Sequence, residues 1–330
     1  MRYTISDVAK LANVSKATVS RVLNNSKPVS DEVKKRVLKV IEETNFQPSA
    51  LARSLSNRQT KLIGVLLPDI ANPVFSKIID GIEKKAHEED YSVLLCNTRH
   101  NEEEELKYLD ILREKEVDGI IFNGFHSSEK FREKLSKFSI PIAVIGYDDE
   151  SYDYPAVLID NLKASYDMTK HIIDSGKKNI AMVHGPIEDY CSGYQRMEGY
   201  KNALLNNSLK YNKEYMKKGN YTYKSGYDSA KELLKKYSDI DAFFCANDMM
   251  AIGVMKAILE IGKSIPKDIA VAGFDDIDVA SVYTPALTTV HQPFELKGES
   301  VMSQMLKLLN GKEVERQIVH KYKIVIRESI

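Results

Sequence analysis

The stretch Thr4–Leu23 restricts the fold more than any other, because its pattern is typical of two short helices joined by a tight turn. Thr4 and Asp7 have the spacing of a capping box, so we expect a helix to begin there. Asn13 adopts a left-handed backbone at low cost and is expected to end that helix. Ser15 is expected to cap a second helix with an apolar inner face and a small, basic and polar outer face. Such a helix suits the major groove of DNA, although the pattern also fits a small helical subdomain with a solvated face.

A third helix is expected to complete a small domain over residues 1–46. Ser30 and the two acidic residues after it are predicted to cap this helix, which should end near Asn45 so that Phe46 packs back on the bundle. The stripe predicted to face the other helices is Val33, Val37, Val40 and Ile41. Three helices of this length make a domain that is marginally stable alone.

Residues 47–61 are predicted to be a linker that contains a short hinge helix. Pro48 is favourable at a first helical position, and Leu51 and Leu55 lie one turn apart on one side. Two turns are too few for a stable isolated helix, so we expect the hinge to fold only when something holds it. On such a helix Leu55 is suited to act as a wedge in the minor groove of DNA.

Charge is distributed unevenly along the chain, although the 47 basic and 47 acidic residues balance overall. Residues 1–61 hold 12 Lys/Arg and 5 Asp/Glu, a net charge of +7, and the remainder carries −7. A basic N-terminal part on an acidic body favours a protein that places one end on a polyanion. An uneven surface without a function is the alternative.

From Leu62 onward, strands alternate with amphipathic helices. Strands are predicted at Leu62–Leu67, Ser92–Cys96, Gly119–Phe122, Ile140–Ile145, Ala156–Ile159, Ile180–Val183, Ala242–Cys245, Ile269–Ala272, Leu287–Val290 and Val319–Ile326. Helices are predicted at 74–90, 103–115, 161–175, 194–207, 225–237, 249–262 and 294–310. This alternation predicts parallel sheets in a three-layer α/β core, with ligands at the carboxyl ends of the strands. We place two lobes at 62–160 plus 292–322 and at 161–291 plus 323–330, with a ligand site in the cleft between them.

The sequence argues against several classes of protein. It has no run of 18 apolar residues and no apolar stretch after Arg2, so we expect a cytoplasmic protein without a membrane span or secretion. Cys96, Cys191 and Cys245 lack metal-binding spacing and fit small buried thiols in a reducing compartment. The histidines are scattered, and nucleophile and dinucleotide motifs are missing, so no metal, cofactor or enzymatic activity is expected.

Six motifs, taken in order, resemble the lactose/galactose repressor (LacI/GalR) family of bacterial transcription regulators. They are Thr4–Leu23, Pro48–Leu55, Gly64–Asp69, Val117–Ile121, Ala246–Ala251 and Gly273–Asp276. The resemblance covers essentially the whole chain. It implies an all-α helix-turn-helix DNA-binding domain, a hinge, and a two-lobed α/β core like that of periplasmic sugar-binding proteins. It also implies a homodimer on a palindromic operator in double-stranded DNA, with no membrane partner.

The resemblance assigns the DNA contacts by position. Lys16, Ala17 and Arg21 match residues that face bases, and Leu55 matches a leucine that intercalates from the hinge. Arg21 has the fork that binds guanine O6 and N7, whereas Lys16 equally fits a phosphate contact. The predicted DNA-binding residues are Thr4, Ser15, Lys16, Ala17, Ser20, Arg21, Asn24, Leu51, Ala52 and Leu55.

A sugar needs aligned hydrogen-bonding groups and an apolar or aromatic face for its C–H side. The predicted effector residues, at strand ends or in the loops that follow, are Asn72, Phe75, Asp148, Asp149, Arg196, Tyr221, Asn247 and Asp275. Arg196 and Asp275 fit hydroxyls or a carboxylate of the ligand, and an ion pair between the lobes is the alternative. Asn72 also fits a helix cap, and Phe75 and Tyr221 also fit plain core positions. The positive charge of Arg196 is also compatible with an acidic or phosphorylated sugar as the effector.

We therefore expect a repressor of carbohydrate-utilisation genes in which a sugar between the lobes changes operator affinity through the hinges. The alternative is a catabolite-control-type regulator driven by a phosphorylated carrier protein. The resemblance implies that such a regulator binds the carrier protein through basic residues on the helix that follows a strand ending in Gln-Pro. Here the corresponding stretch, residues 295–305, contains no arginine, which favours the sugar-responsive interpretation. The chain has no leucine-heptad tail, which favours a dimer over a tetramer.

Overall fold

The structure is a computed structural model that describes residues 3–24, 28–46, 59–123, 128–146 and 153–330. The chain divides into two units, residues 1–60 and 61–330, which are described separately. The predicted hinge residues Leu51, Ala52 and Leu55 lie outside the described residues.

Within its described residues, the first unit contains the helices α1 (Ile5–Leu11), α2 (Lys16–Asn24) and α3 (Asp31–Thr44). Thr4 and Asp7 form the predicted capping box, in which each side chain bonds the other residue's backbone N–H. Asn13 has a φ of 51°, and the Ser15 hydroxyl accepts a hydrogen bond from the Thr18 N–H at 3.1 Å. The predicted turn between the first two helices is therefore confirmed.

The core of the first unit is small and apolar. Its buried members are Val8, Ala9, Ala12, Val19, Val22, Val37 and Phe46. Asn45 ends α3 in a left-handed conformation, and Phe46 packs back on the bundle as predicted. The predicted cap at Ser30 is wrong in one detail, since its side chain makes no capping hydrogen bond. Asp31 and Glu32 instead place negative charge in the first turn, where it interacts favourably with the positive end of the helix dipole.

The second unit contains two parallel sheets and one two-stranded antiparallel sheet among its described residues. The strands are β1 (Leu62–Leu67), β2 (Ser92–Asn97), β3 (Gly119–Asn123), β4 (Ile142–Ile145), β5 (Ala156–Ile159), β6 (Ile180–His184), β7 (Met216–Lys218), β8 (Ala242–Cys245), β9 (Ala270–Ala272), β10 (Thr289–His291), β11 (Gln317–His320) and β12 (Lys323–Val325). The first lobe is built on the order β11-β5-β4-β3-β1-β2, and the second lobe on β7-β6-β8-β9. β10 and β12 pair antiparallel.

Helices cover these sheets because the strands carry apolar residues on both faces. They are α4 (Pro73–His87), α5 (Glu102–Glu114), α6 (Glu129–Leu135), α7 (Asn161–Asp174), α8 (Arg196–Asn206), α9 (Tyr223–Lys236), α10 (Asp248–Glu260), α11 (Asp278–Val282) and α12 (Phe294–Leu309), with a π-helix at Tyr190–Gln195 and a 3-10 helix at Lys213–Tyr215. α12 packs closely on α4 because Gly81 and Gly298 face each other, and a Cβ on either would overlap backbone of the other helix. This contact brings α12 onto the first lobe.

The main departure from the predicted strands is at Val319–Ile326. This run is two strands, since β11 joins the first lobe and β12 pairs with β10. The sequence pattern also missed the short strand β7, whose sequence is Met-Lys-Lys, and the short helices α6 and α11, which have seven and five residues. Short polar edge strands carry little alternation, so periodicity does not detect them.

No helix among the described residues has the length and apolar character to cross a membrane. Cys96, Cys191 and Cys245 are buried free thiols, as the sequence predicts.

Candidate functional site

A cavity of about 230 Å³ lies between the two lobes of the second unit. We call it the inter-lobe cavity. The loops that reach it follow the carboxyl ends of parallel strands in both lobes, which is where such sheets place ligand sites. Residues on its wall include Asn72, Phe75, Asn123, Asn161, Asp189, Arg196, Tyr221, Asn247, Asp275, Gln292 and Lys297. Six of the predicted effector residues therefore meet in one place.

Arg196, the first residue of α8, is buried in the wall of the inter-lobe cavity. Its Nε donates to Oδ1 of Asn161 at 2.9 Å, and its Nη1 donates to the carbonyl oxygen of Ala246 at 2.5 Å. Its guanidinium carbon lies 3.7 Å from the centre of the Phe274 ring. These contacts fix the plane of the guanidinium, so Arg196 is a preorganised donor.

Asp275 follows β9 and is also buried. One of its oxygens, Oδ1, lies 3.5 Å from Nη1 of Arg196 and accepts a hydrogen bond from Nε2 of Gln292 at 2.7 Å. Burial raises the pKa of Asp275 to about 6, against the opposing effect of Arg196. Both partners of this ion pair belong to the second lobe, so the alternative of an ion pair between the lobes is wrong.

Tyr221 is held at the wall by polar contacts. Its hydroxyl donates to Oδ2 of Asp189 at 2.7 Å, and its carbonyl oxygen accepts from Nδ2 of Asn247 at 3.0 Å. Asn247 also caps α10 by accepting from the Met250 N–H. Burial raises the pKa of both Asp189 and Tyr221. The Tyr221 side chain is thereby fixed at the wall of the inter-lobe cavity.

Asn72 and Phe75 contribute to the cavity from the first lobe. Oδ1 of Asn72 accepts from the Val74 N–H at 3.1 Å, so this residue does cap α4 while it also lines the cavity. Phe75 belongs to the hydrophobic core and lines the cavity as well. Each residue therefore has a structural role and also lines the cavity.

Two predicted effector residues, Asp148 and Asp149, lie outside the described residues. In the part of the chain that the structure describes, no group of three His, Cys, Asp or Glu residues is placed to hold a metal ion.

The outer face of α2 carries the residues predicted to face bases. Lys16, Ala17 and Arg21 are exposed, while Val19 and Val22 are buried in the bundle. Of the other predicted DNA-binding residues, Thr4 and Ser15 are exposed caps and Ser20 is half-buried. Asn24 is the last residue of α2, and its side chain is outside the described set. The helix therefore presents a small, basic surface without a bulky side chain.

Comparison with known proteins accounts for both units. Residues 60–327 match the family described as "Periplasmic binding proteins and sugar binding domain of LacI family". Residues 4–49 match "Bacterial regulatory proteins, lacI family". The chain belongs to the LacI family. It is a transcription regulator built as the resemblance predicts, with a helix-turn-helix domain and a two-lobed α/β core.

Individual LacI-family relatives match this chain over nearly its full length. Catabolite control protein A of Priestia megaterium is 36% identical over 330 residues, which is 100% of this chain and 99% of that protein. The Lac repressor dimer bound to operator and the anti-inducer ONPF is 27% identical, with a TM-score of 0.90 over 100% of this chain and 99% of that one. The CelR–cellobiose complex is 28% identical, with a TM-score of 0.77 over 99% and 100% of the two chains.

The polar residues of this LacI-family cavity that sequence reasoning missed include Asn161, Asp189, Gln292 and Lys297. Gln292 directly follows β10, so the rule that ligands lie at strand ends would have found it. Lys297 stands on the same helical face as Phe294 and Val301, both of which are buried. A lysine on an apolar helical face was the signal that a charged group enters the interior.

Proposed function

We propose that this protein is a sequence-specific DNA-binding repressor whose operator affinity is controlled by a sugar or sugar derivative in the inter-lobe cavity. The observation that carries the proposal is that one chain combines an exposed basic helix face in a helix-turn-helix unit with a polar cavity lined from two lobes. The cavity is proposed to bind and release its ligand unchanged, so the protein is not an enzyme.

The DNA-binding part rests on α2. Lys16, Ala17 and Arg21 are proposed to face base edges or phosphates, with Thr4, Ser15, Ser20 and Asn24 around them. The hinge residues Leu51, Ala52 and Leu55 are proposed to reach the minor groove. A homodimer would present two such surfaces to a palindrome, and the Lac repressor relative is described as a dimer bound to operator.

The effector part rests on the chemistry of the cavity. Asn247, Asp275 and Arg196 provide fixed donors and acceptors, and Phe75 and Tyr221 provide aromatic surface. This combination is what a sugar requires. The CelR relative is described in complex with cellobiose, which supports the same ligand class here.

The test of this function uses the full-length protein and fragments of its own genome. We expect the protein to select a small set of palindromic fragments, and a matching sugar to change that binding measurably. The variant Arg21→Ala should bind these fragments more weakly and less selectively, whereas Lys34→Ala, which removes an exposed lysine on α3, should bind them as the unmodified protein does. If no fragment is selected with or without sugars, the proposed function is wrong.

The identity to catabolite control protein A supports a second candidate, regulation by a phosphorylated carrier protein. The face of α12 argues against it, because Glu295 and Glu299 lie there and both pair with Lys84. Lys297 of the same helix is buried and cannot meet a protein partner. A pull-down with the phosphorylated carrier protein separates the two candidates, since robust capture would favour the second.

A further inference from the structure

Lys297 is a buried cation on the wall of the inter-lobe cavity. Its residue is 5% exposed, and its Nζ donates to Oε1 of Gln292 at 3.2 Å. Its Nζ also lies 5.3 Å from the centre of the Phe294 ring. An ammonium carries three donor hydrogens, so these contacts leave part of its hydrogen-bonding capacity open towards the cavity.

The positive charge of Lys297 is only partly compensated by nearby carboxylates. Among the described residues, no carboxylate oxygen lies within 4.0 Å of its Nζ, so the ammonium forms no direct ion pair there. The nearest link to an acid runs through Gln292, which donates to Asp275. Asp275 already pairs with Arg196, so one carboxylate serves two cations. Within this linked group of four residues, two cations therefore face a single carboxylate.

Among the described residues, neither of the other two acids on the wall, Asp69 and Asp189, forms an ion pair with Lys297. Asp189 accepts hydrogen bonds from the Tyr221 hydroxyl at 2.7 Å and from the Ser192 N–H at 2.9 Å. Its carboxylate is thus engaged by neutral donors at the Tyr221 end of the cavity. Lys297 is thus linked through Gln292 to Asp275, whereas Asp189 and Asn247 are linked through Tyr221.

An unpaired buried ammonium destabilises the ligand-free protein. Burial and, to a smaller extent, the nearby Arg196 together lower the pKa of Lys297 to about 8. A neutral sugar hydroxyl would give this group a hydrogen bond but no counter-charge, whereas an anion gives both. The arrangement is what a site for an anionic ligand group requires before the ligand arrives.

We propose that the effector is an anionic sugar derivative, a sugar acid or a sugar phosphate, whose charged group is bound by Lys297. This inference rests on the proposed sugar-responsive function and narrows its ligand class. The carboxylate or phosphate lies at the Lys297 end, and the hydroxyls of the ring face Asp189 and Asn247. Gln292 positions the ammonium and relays the charge of Asp275 to it.

The experiment compares matched probes on the full-length protein. Glucose, galactose and mannose are each titrated as the neutral sugar, the uronate and the 6-phosphate, and binding is measured by calorimetry and thermal shift. At least one anionic member is expected to bind, and to bind more tightly than its neutral counterpart. The uronate and phosphate arms then show which anionic group the site takes.

The decisive variant is Lys297→Met, which keeps the length and apolar stem of the side chain. It should weaken binding of the anionic probe by about tenfold to a hundredfold and weaken binding of the neutral sugar by a clearly smaller factor. The matched control is Lys307→Met, which removes an exposed lysine of the same helix and should change neither. In the unmodified protein, affinity for the anionic probe should fall as the pH rises through 8, and this dependence should vanish in Lys297→Met.

Each contrary result has its own meaning. If neutral sugars bind as tightly as their anionic counterparts, or if Lys297→Met binds the anionic probe as well as the unmodified protein does, the inference is wrong and sugar control stands. If no probe of either kind binds, the proposed sugar control fails and the inference fails with it.

Discussion

Arg196 and Asp275 form a buried ion pair, with 3.5 Å between Nη1 and Oδ1, inside one lobe of the core. Because both residues belong to the second lobe, the pair shapes the cavity wall without joining the two lobes. The guanidinium is also held by Asn161, Ala246 and Phe274. The pair is therefore a fixed feature that the second lobe contributes to the cavity wall.

The first prediction concerns the acid of this pair. Asp275→Asn leaves Arg196 buried without its carboxylate and should lower the free energy of unfolding of the core by about 3 kcal/mol. It should also abolish stabilisation by the effector. The control is Asp278→Asn, whose surface pair with Lys77 has an Asp side chain that is 90% exposed, and it should change stability by less than about 1 kcal/mol. Equal losses in the two variants would contradict the role given to Asp275.

The second prediction concerns how much the buried charge of Lys297 destabilises the ligand-free protein. Lys297→Met should raise the free energy of unfolding at pH 7 by about 1–3 kcal/mol, because it removes a buried cation. The pKa of this lysine is lowered to about 8 in the folded protein from 10.5, so its unfavourable contribution is complete below pH 8. It disappears as the pH rises from 8 to 10.5, and the advantage of the variant should shrink over that range. Denaturant unfolding at pH 7 and pH 10 measures both effects, and a destabilised variant would contradict the argument.

Most of the fold could be predicted from the sequence because its elements are strongly periodic. The bounds of β1, β5 and β8 agree with the structure to the residue, since each is a short apolar run with clear ends. Val319–Ile326 could not be divided correctly. Its alternation continues across Lys321 and Tyr322, and only pairing with different partners separates β11 from β12.

Part of the cavity wall could also be predicted, since Asn72, Asn247 and Asp275 lie in the loops that follow the carboxyl ends of strands. Lys297 was beyond the same reasoning because it lies inside a helix. Its burial depends on α12 crossing to the first lobe, which the contact between Gly81 and Gly298 allows. A charge brought into the interior by tertiary packing leaves only a weak trace in the sequence.

The third prediction is a pH dependence of stability from Glu105. This residue of α5 is buried, and Oε2 has no hydrogen-bond partner among the described residues. Burial raises its pKa from 4.5 to about 7, and the neighbouring Glu102 adds to the effect. Between pH 4.5 and 7 the folded state keeps a proton that the unfolded state releases. The free energy of unfolding should therefore fall by about 3 kcal/mol as the pH rises through this window.

Glu105→Gln should remove this loss, so the variant should be more stable than the unmodified protein at pH 8 and nearly equal to it at pH 4.5. Glu103→Gln, an exposed change in the same turn of α5, serves as the control and should leave the pH profile unaltered. Denaturant midpoints of the core measured from pH 4.5 to pH 8 give the comparison. Parallel profiles for the unmodified protein and Glu105→Gln would show that this carboxyl does not titrate there.

The fourth prediction tests the hinge. Leu55→Ala should weaken operator binding, because a methyl group cannot wedge between base pairs as leucine does. Effector binding, measured by thermal shift of the core, should be unchanged. Equal loss of DNA and effector binding would show that the hinge assignment is mistaken.

The fifth prediction separates base reading from phosphate binding on α2. Arg21→Ala should cost about 1–3 kcal/mol at the preferred operator and relax the choice of base at one position in each half-site, since the forked contact to guanine is lost. Lys16→Ala, if this lysine binds phosphate, should weaken all sequences alike and reduce the slope of log K against log salt by about 1 for each phosphate released. Binding to the operator and to single-base variants of it, measured over a range of salt, distinguishes the two roles. Uniform weakening with Arg21→Ala would exclude a base contact, and altered base preference with Lys16→Ala would add this lysine to the residues that read sequence.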